Sequence, residues 1–108
     1  MKLLTEELRK TLPPLYSQES NKDPVVHVKF FCPWSNWTWF TTEGKAEDEE
    51  FLLFGYVIGH EEECGYFALS EMESVRGPGG LTIERDLYFK PGRPFSEVIA
   101  QFRRQRGQ

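Results

Sequence analysis

The sequence contains little of what would cross-link a chain or hold it in a membrane. Only Cys32 and Cys64 are cysteines among 108 residues, so no disulfide framework is expected. The longest apolar run, residues 51–59, is shorter than the roughly 20 residues that a transmembrane helix needs. The apolar run at the N-terminus is too short for a secretory signal, and Glu6 and Glu7 follow it at once. We therefore expect a cytoplasmic protein that makes no membrane contact.

Positive charge is scarce as well. The chain has 13 Lys and Arg residues against 17 Asp and Glu residues, so its net charge is −4. Proteins dedicated to nucleic acids usually carry a broad basic face, and this composition does not favour one. The acids are concentrated in residues 43–63, where they are Glu43, Glu47, Asp48, Glu49, Glu50, Glu61, Glu62 and Glu63.

Core-forming residues are plentiful by comparison. Hydrophobic residues make up 39% of the chain and aromatic residues 15%. A chain of this length buries enough surface for a core of its own. We predict a single domain over residues 1–108.

Helices are predicted at both ends of the chain. Near the N-terminus, Thr5 is a favourable N-cap and Pro13 ends the helix. A C-terminal helix begins at about Pro94, and both helices carry apolar stripes of helical spacing. The stripes are Leu4, Leu8 and Leu12, and Phe95, Val98, Ile99 and Phe102. Between these helices, Ser70 begins a capping-box pattern for a short helix, with Gly77 as its left-handed C-cap.

Four segments between the helices have the alternation or the β-branched and aromatic content of strands. They are residues 25–32, 36–42, 51–58 and 64–69. In the first segment, alternation places one set of side chains on a single face. This set is Val26, Val28, Phe30 and Cys32.

The connections between these segments indicate how the strands are arranged. Residues 33–35, 43–50 and 61–63 are short or polar, which favours an antiparallel meander. A fifth strand within residues 81–89 is expected at an edge of the sheet. The predicted fold class is α+β: a twisted antiparallel sheet of four or five strands, packed by the C-terminal helix, with a short N-terminal helix.

Residues 51–58 are apolar at every position except Gly55. A strand that is apolar on both faces is expected in the interior of a sheet with both faces covered. The C-terminal helix can cover one face. The other face is left to the N-terminal helix, the Gly-rich loop at residues 77–80 or a partner molecule.

No constellation of residues predicts a metal, a cofactor or a catalytic site. His27 and Cys32 are five residues apart on one strand and should point to opposite faces, whereas zinc needs converging ligands. His60 and Cys64 flank a turn and form the one candidate pair for a thiol-dependent enzyme. The neighbouring glutamates would raise the pKa of that thiol, so a non-enzymatic protein is the preferred interpretation.

Two surfaces are candidates for binding. In a meander, Trp34 and the acidic turn Glu61, Glu62 and Glu63 lie at the same end of the sheet, where an aromatic beside acids can contact a basic protein partner. The alternative surface is the C-terminal basic tail, which would bind nucleic acid together with exposed aromatic residues. Its residues are Arg103, Arg104 and Arg106. A homodimer is a further possibility for the partner.

Two further motifs have simpler explanations. The run Gly77-Pro78-Gly79-Gly80 lacks the Lys-Ser/Thr pair of a phosphate-binding loop. Pro13-Pro14-Leu15-Tyr16 matches a ligand motif for grooves that bind proline-rich peptides, but ending a helix is the preferred role of its prolines.

Several stretches together resemble an uncharacterised bacterial family, the domain of unknown function DUF2958. They are Leu12–Tyr16, Val25–Trp39, Phe54–Tyr56 with Gly65–Phe67, and Ile83–Lys90, so that the resemblance covers about residues 11 to 96. It implies a setting on plasmids and other mobile elements, and no activity or catalytic residue. We therefore expect an accessory or interaction protein of a mobile element that binds a protein partner.

Overall fold

The computed structural model describes residues 2–107 and has the predicted α+β architecture. The helices are α1 (Glu6–Thr11), α2 (Leu69–Ser74) and α3 (Phe95–Gln105), with a 3-10 turn at Pro78–Gly80. The strands are β1 (Val25–Val26), β2 (Val28–Phe31), β3 (Thr38–Glu47), β4 (Glu50–Ile58), β5 (Glu62–Ala68), β6 (Glu84–Arg85) and β7 (Arg93–Pro94). Within these described residues, no helix combines the length and the apolar character required to cross a membrane.

The main sheet is antiparallel and has the order β5-β4-β3-β2-β6. Strands β2 to β5 form the predicted meander, and β4 lies in its interior between β3 and β5, as its apolar sequence predicts. The fifth strand, β6, lies at an edge as expected but has only two residues. Strands β1 and β7 form a separate two-stranded ribbon.

Each face of the sheet is covered by a different part of the chain. Phe51 and Leu53 of β4 belong to a core formed with the N-terminal segment and α2. On the opposite face, Phe40 of β3 packs in a second core beneath α3. The buried residues of α3 are Val98, Ile99 and Phe102. The C-terminal helix therefore covers one face as predicted, and the chain itself provides cover for the other.

The predicted first strand is divided at His27. β1 pairs with β7, whereas β2 pairs with β3 in the main sheet. Val26 consequently packs in the core beneath α3, and Val28 and Phe30 pack in the core on the opposite face. The prediction of one shared face is wrong for Val26 because the chain changes pairing partner, and with it the face, at this point.

The acidic segment 43–50 is mostly strand, and its prediction as a connection is wrong. β3 continues to Glu47, so only Asp48 and Glu49 join it to β4. Asp48 has a positive φ of 55°, which suits a tight hairpin turn. A bulge between Thr41 and Glu43 shifts the register against β4. Charge alone indicated a loop, whereas pairing with an apolar strand made this segment β-structure.

The ends of α2 also differ from the prediction. The helix starts at Leu69 with Ala68 as its N-cap, so Ser70 lies inside the first turn. Glu50 of β4 accepts hydrogen bonds from the Ser70 hydroxyl and from the Ser70 N–H, the latter at 3.2 Å. A neighbouring strand therefore supplies the acceptor that the capping box was expected to supply. In the loop after α2, the glycines with a left-handed φ are Gly79 and Gly80, and the prediction of Gly77 as a left-handed C-cap is wrong.

Candidate interaction surface

The acidic turn comprises Glu61, which joins β4 to β5, and Glu62 and Glu63, which are the first residues of β5. It lies at the same end of the sheet as the connection between β2 and β3, as the meander requires. Trp37 packs on this turn: a Cβ added to Gly59 would lie 2.6 Å from its Cζ2 atom. The Trp37 and His60 rings meet edge to face at 5.7 Å. Trp34 is half-buried and packs on Gly77 instead. Trp37 thus makes the aromatic contact with the turn that was proposed for Trp34.

Two predicted surfaces meet at Glu62. Its carboxylate pairs with the Arg103 guanidinium at 2.7 Å and accepts a hydrogen bond from the Tyr56 hydroxyl at 2.9 Å. These interactions, Arg103 first and Tyr56 second, lower the pKa of Glu62 from its ordinary value. One residue of the acidic turn therefore joins β5 to the end of α3, while Glu61 and Glu63 remain exposed.

Removing the Arg103 guanidinium is expected to raise the pKa of Glu62 towards its ordinary value. Because the folded-state pKa is lowered, the pair stabilises the fold above the unfolded pKa of Glu62, and this stabilisation is lost as the pH falls through the folded pKa. Carboxyl NMR titration of Arg103→Ala checks the shift, with Arg104→Ala as the control. An unchanged Glu62 titration in Arg103→Ala would contradict the assignment.

The remaining basic residues of α3 and its C-cap occupy different surroundings. Arg106 stacks over the Phe102 ring at 5.0 Å. It lines a groove of about 460 Å³ together with Lys29 and Gln105. Arg104 is exposed.

The pair His60 and Cys64 is not assembled. His60 packs against Trp37, whereas Cys64 lies opposite Tyr56 on the face that bears α3. Burial raises the pKa of the Cys64 thiol, which is the reverse of thiol activation. Across residues 2–107, no three His, Cys, Asp or Glu side chains are grouped as metal ligands.

Glu43 has a role that the sequence did not indicate. Its side chain is buried, and the whole residue is only 4% exposed. Its two carboxylate oxygens accept hydrogen bonds of 2.8 Å from the backbone N–H groups of Tyr16 and Gln18. The Gln18 side chain adds bonds to Val25 and to the Thr42 carbonyl. Glu43 and Gln18 thus hold the segment 15–24 on the sheet, yet no pattern separates Glu43 from the exposed acids that follow it.

Beside this attachment lies a groove of about 380 Å³. Phe54, Cys64 and Tyr66 line it from the sheet, and residues 16–24 contribute the opposite wall. The rings of Phe54 and Tyr66 are 4.8 Å apart, and the Tyr16 ring meets Tyr66 edge to face at 6.3 Å. The groove therefore combines an aromatic lining with the carboxylates of Glu19 and Glu43.

The conformation of Tyr16 argues against the proline-rich ligand motif. Leu15 is buried and Tyr16 has a left-handed φ of 71°. An extended polyproline conformation, which grooves for such ligands recognise, requires a negative φ. The helix-ending role remains the better explanation, since α1 stops at Thr11 and Leu12 is its C-cap.

The molecule is thus an α+β protein whose five-stranded antiparallel sheet has β5 at one edge, beside an acidic turn and an aromatic groove. Its sequence matches the family model described as "Protein of unknown function (DUF2958)" over residues 3–108, and the chain belongs to that family. Comparisons with curated proteins and with solved structures found no match.

Proposed function

We propose that this chain is a protein-binding accessory module that works by binding rather than by catalysis. The observation that carries the proposal is β5, which has seven residues and pairs with β4 alone. In the described part of the chain no strand occupies its other edge. Unpaired N–H and C=O groups along a strand edge are a template for an extended segment of another protein.

The residues along β5 leave this edge accessible. A Cβ added to Gly65, at the middle of the strand, would have no atom within 4 Å, so the face of the sheet next to this edge is also open there. Glu61 and Glu63 are exposed, and neither forms a salt bridge within residues 2–107. Their negative charge favours a basic partner segment. Trp37 packs on the turn at this end of the sheet, whereas Trp34 packs on Gly77 and lies apart from the proposed surface.

The setting that we propose is the bacterial cytoplasm and a mobile element. The support for this part of the proposal is the resemblance of the sequence to its family. The partner is accordingly to be sought among proteins of the element and of its host.

Reversing the charge of the turn tests the proposal. We expect the double variant Glu61→Lys/Glu63→Lys to lose a partner that the unaltered chain captures from cell extract, because rim charges guide association. This pair leaves the Glu62–Arg103 contact in place. Quantitative mass spectrometry of captured proteins is the measurement.

A matched control carries the same charge change at the opposite end of the meander. Glu47→Lys/Glu49→Lys alters two exposed acids at the β3–β4 hairpin, and capture should survive it. Equal capture by both double variants would contradict the proposed surface. Light scattering of the purified chain separates a homodimer from a partner of different sequence.

Nucleic-acid binding is a second candidate, favoured by the groove that contains Arg106 and Lys29. Arg103 and Lys29 contribute less to this candidate than Arg106, because Glu62 pairs with Arg103 and Asp86 pairs with Lys29. If this candidate is right, the chain should retard single-stranded DNA in a gel-shift experiment at low salt, and its affinity for the DNA should fall steeply as the salt concentration rises. Retention of that binding in Arg104→Glu/Arg106→Glu would exclude the proposed basic surface.

A further inference from the structure

We propose that the groove beside Tyr66 receives an arginine side chain from an extended partner segment that pairs with β5. This inference rests on the proposed function and adds the chemistry of the occupant. Three features of the groove carry it: its position along β5, its aromatic lining and its charge.

The position follows from strand geometry. Cys64 and Tyr66 alternate along β5 and line the groove from the same face of the sheet. A segment that pairs with the free edge of β5 would lie about 4.8 Å away and would also direct alternate side chains to this face. One of these side chains would enter the groove beside Tyr66.

The aromatic lining favours a cation. Tyr66 is 51% exposed and Tyr16 is 62% exposed, so both rings are accessible to a ligand. The face of an aromatic ring carries negative electrostatic potential and attracts a guanidinium. Arginine fits better than lysine because its planar group stacks on a ring and pairs with a carboxylate at the same time.

The charge of the groove favours the same occupant. Glu19 and Glu43 line it, with Lys22 as the one basic residue among those that line it. The negative charge of these carboxylates favours a positively charged group at the same place.

A defined peptide tests the inference without knowledge of the natural partner. The probe is a terminally blocked peptide of alternating threonine and arginine, and the control peptide has citrulline, which is neutral and of nearly the same shape, in place of arginine. We expect the arginine peptide to bind and to shift the Tyr66 ring signals in NMR spectra. Tyr66→Ala should weaken its binding roughly 3-fold to 30-fold, the range of one cation–π contact.

Two other variants keep the test independent of any effect on folding. Lys22→Glu removes the basic residue at the groove and should strengthen binding of the arginine peptide. Tyr88→Ala removes an exposed tyrosine that is not among the residues lining the groove, and it should leave binding unchanged.

The outcomes separate this inference from the proposed function. The arginine assignment would be overturned if the citrulline peptide bound as tightly as the arginine peptide. A third peptide, with lysine in place of arginine, would overturn it in the same way by binding equally tightly, and so would an unchanged affinity of Tyr66→Ala for the arginine peptide. If hydrogen exchange shows protection of β5 in that last case, strand pairing stands and only the inference fails. If β5 gains no protection and Glu61→Lys/Glu63→Lys does not affect partner capture, the proposed function fails as well.

Discussion

Replacing Gly55 with alanine is expected to destabilise the fold by about 3 kcal/mol or more, the upper range for overpacking in a well-packed interior. Gly55 lies in the interior strand β4, opposite Thr41 of β3. A Cβ at this position would overlap the carbonyl oxygen of Phe40 and lie 2.8 Å from its carbonyl carbon. These are backbone atoms, so the overlap cannot be relieved without separating β3 from β4. For a chain of this size, the melting temperature should fall by about 12 °C or more.

Gly65 provides the matched control for this substitution. It lies directly opposite Gly55 on β5, and a Cβ there would meet no atom within 4 Å. Gly65→Ala should change the free energy of unfolding by less than about 1 kcal/mol, in the stabilising direction, because alanine restricts the unfolded chain. Urea unfolding of both variants is the measurement. Similar losses in the two variants would show that the close approach of β3 to Gly55 is not the cause.

Glu43→Ala is expected to lower the free energy of unfolding by about 2–4 kcal/mol. Each hydrogen bond to a charged group contributes about 1.5–3 kcal/mol, and water that hydrates the freed N–H groups recovers part of the two contributions. The substitution removes the acceptor for the N–H groups of Tyr16 and Gln18. The segment 15–24 should then loosen, and exchange at these two amides should accelerate more than exchange in β4. Urea unfolding and amide hydrogen exchange measure the two effects.

Two controls define the role of the Glu43 carboxylate. Glu43→Gln keeps one oxygen acceptor and should lose less stability than Glu43→Ala. Glu47→Ala removes an exposed acid from the end of the same strand and should stay within about 0.5 kcal/mol of the unaltered chain. Unchanged amide exchange at Tyr16 and Gln18 in Glu43→Ala would contradict the attachment. Because this segment forms one wall of the groove, Glu43→Ala should also weaken binding of the arginine peptide.

The two sites differ in how far the sequence could predict them. The exposure of Glu61, Glu62 and Glu63 is as expected for three consecutive acids, but the prediction of residues 61–63 as a connection is wrong for Glu62 and Glu63, which pair with β4 as the first residues of β5. The groove was not predicted, because its lining comes from the segment after α1 and from β3, β4 and β5. Tyr16 and Tyr66 are 50 positions apart, and only the meander brings their rings to 6.3 Å.

The sequence by itself determined the features that depend on near neighbours. Thr5 caps α1, whose last residue is Thr11, and alternation places Trp39 and Phe40 in the cores on opposite faces. The continuous apolar character of residues 51–58 predicted an interior strand, and the stripe of α3 predicted the helix that covers it. These outcomes rest on backbone conformation and side-chain periodicity, which act over a few residues.

Only the tertiary structure decided which polar residues would be buried or paired. In the sequence, Glu43 cannot be distinguished from the acids beside it, but in the fold its carboxylate accepts hydrogen bonds from the Tyr16 and Gln18 amides. Likewise, the Ser70 N–H donates to Glu50 of β4 and not to an acceptor within its own helix. The pairing of Glu62 with Arg103 likewise joins the acidic turn to the C-terminal basic tail, which the sequence predicted as two separate surfaces. The physical reason is that a hydrogen bond or an ion pair depends on distance in space, and the partners in these cases lie 20 to 41 residues apart along the chain.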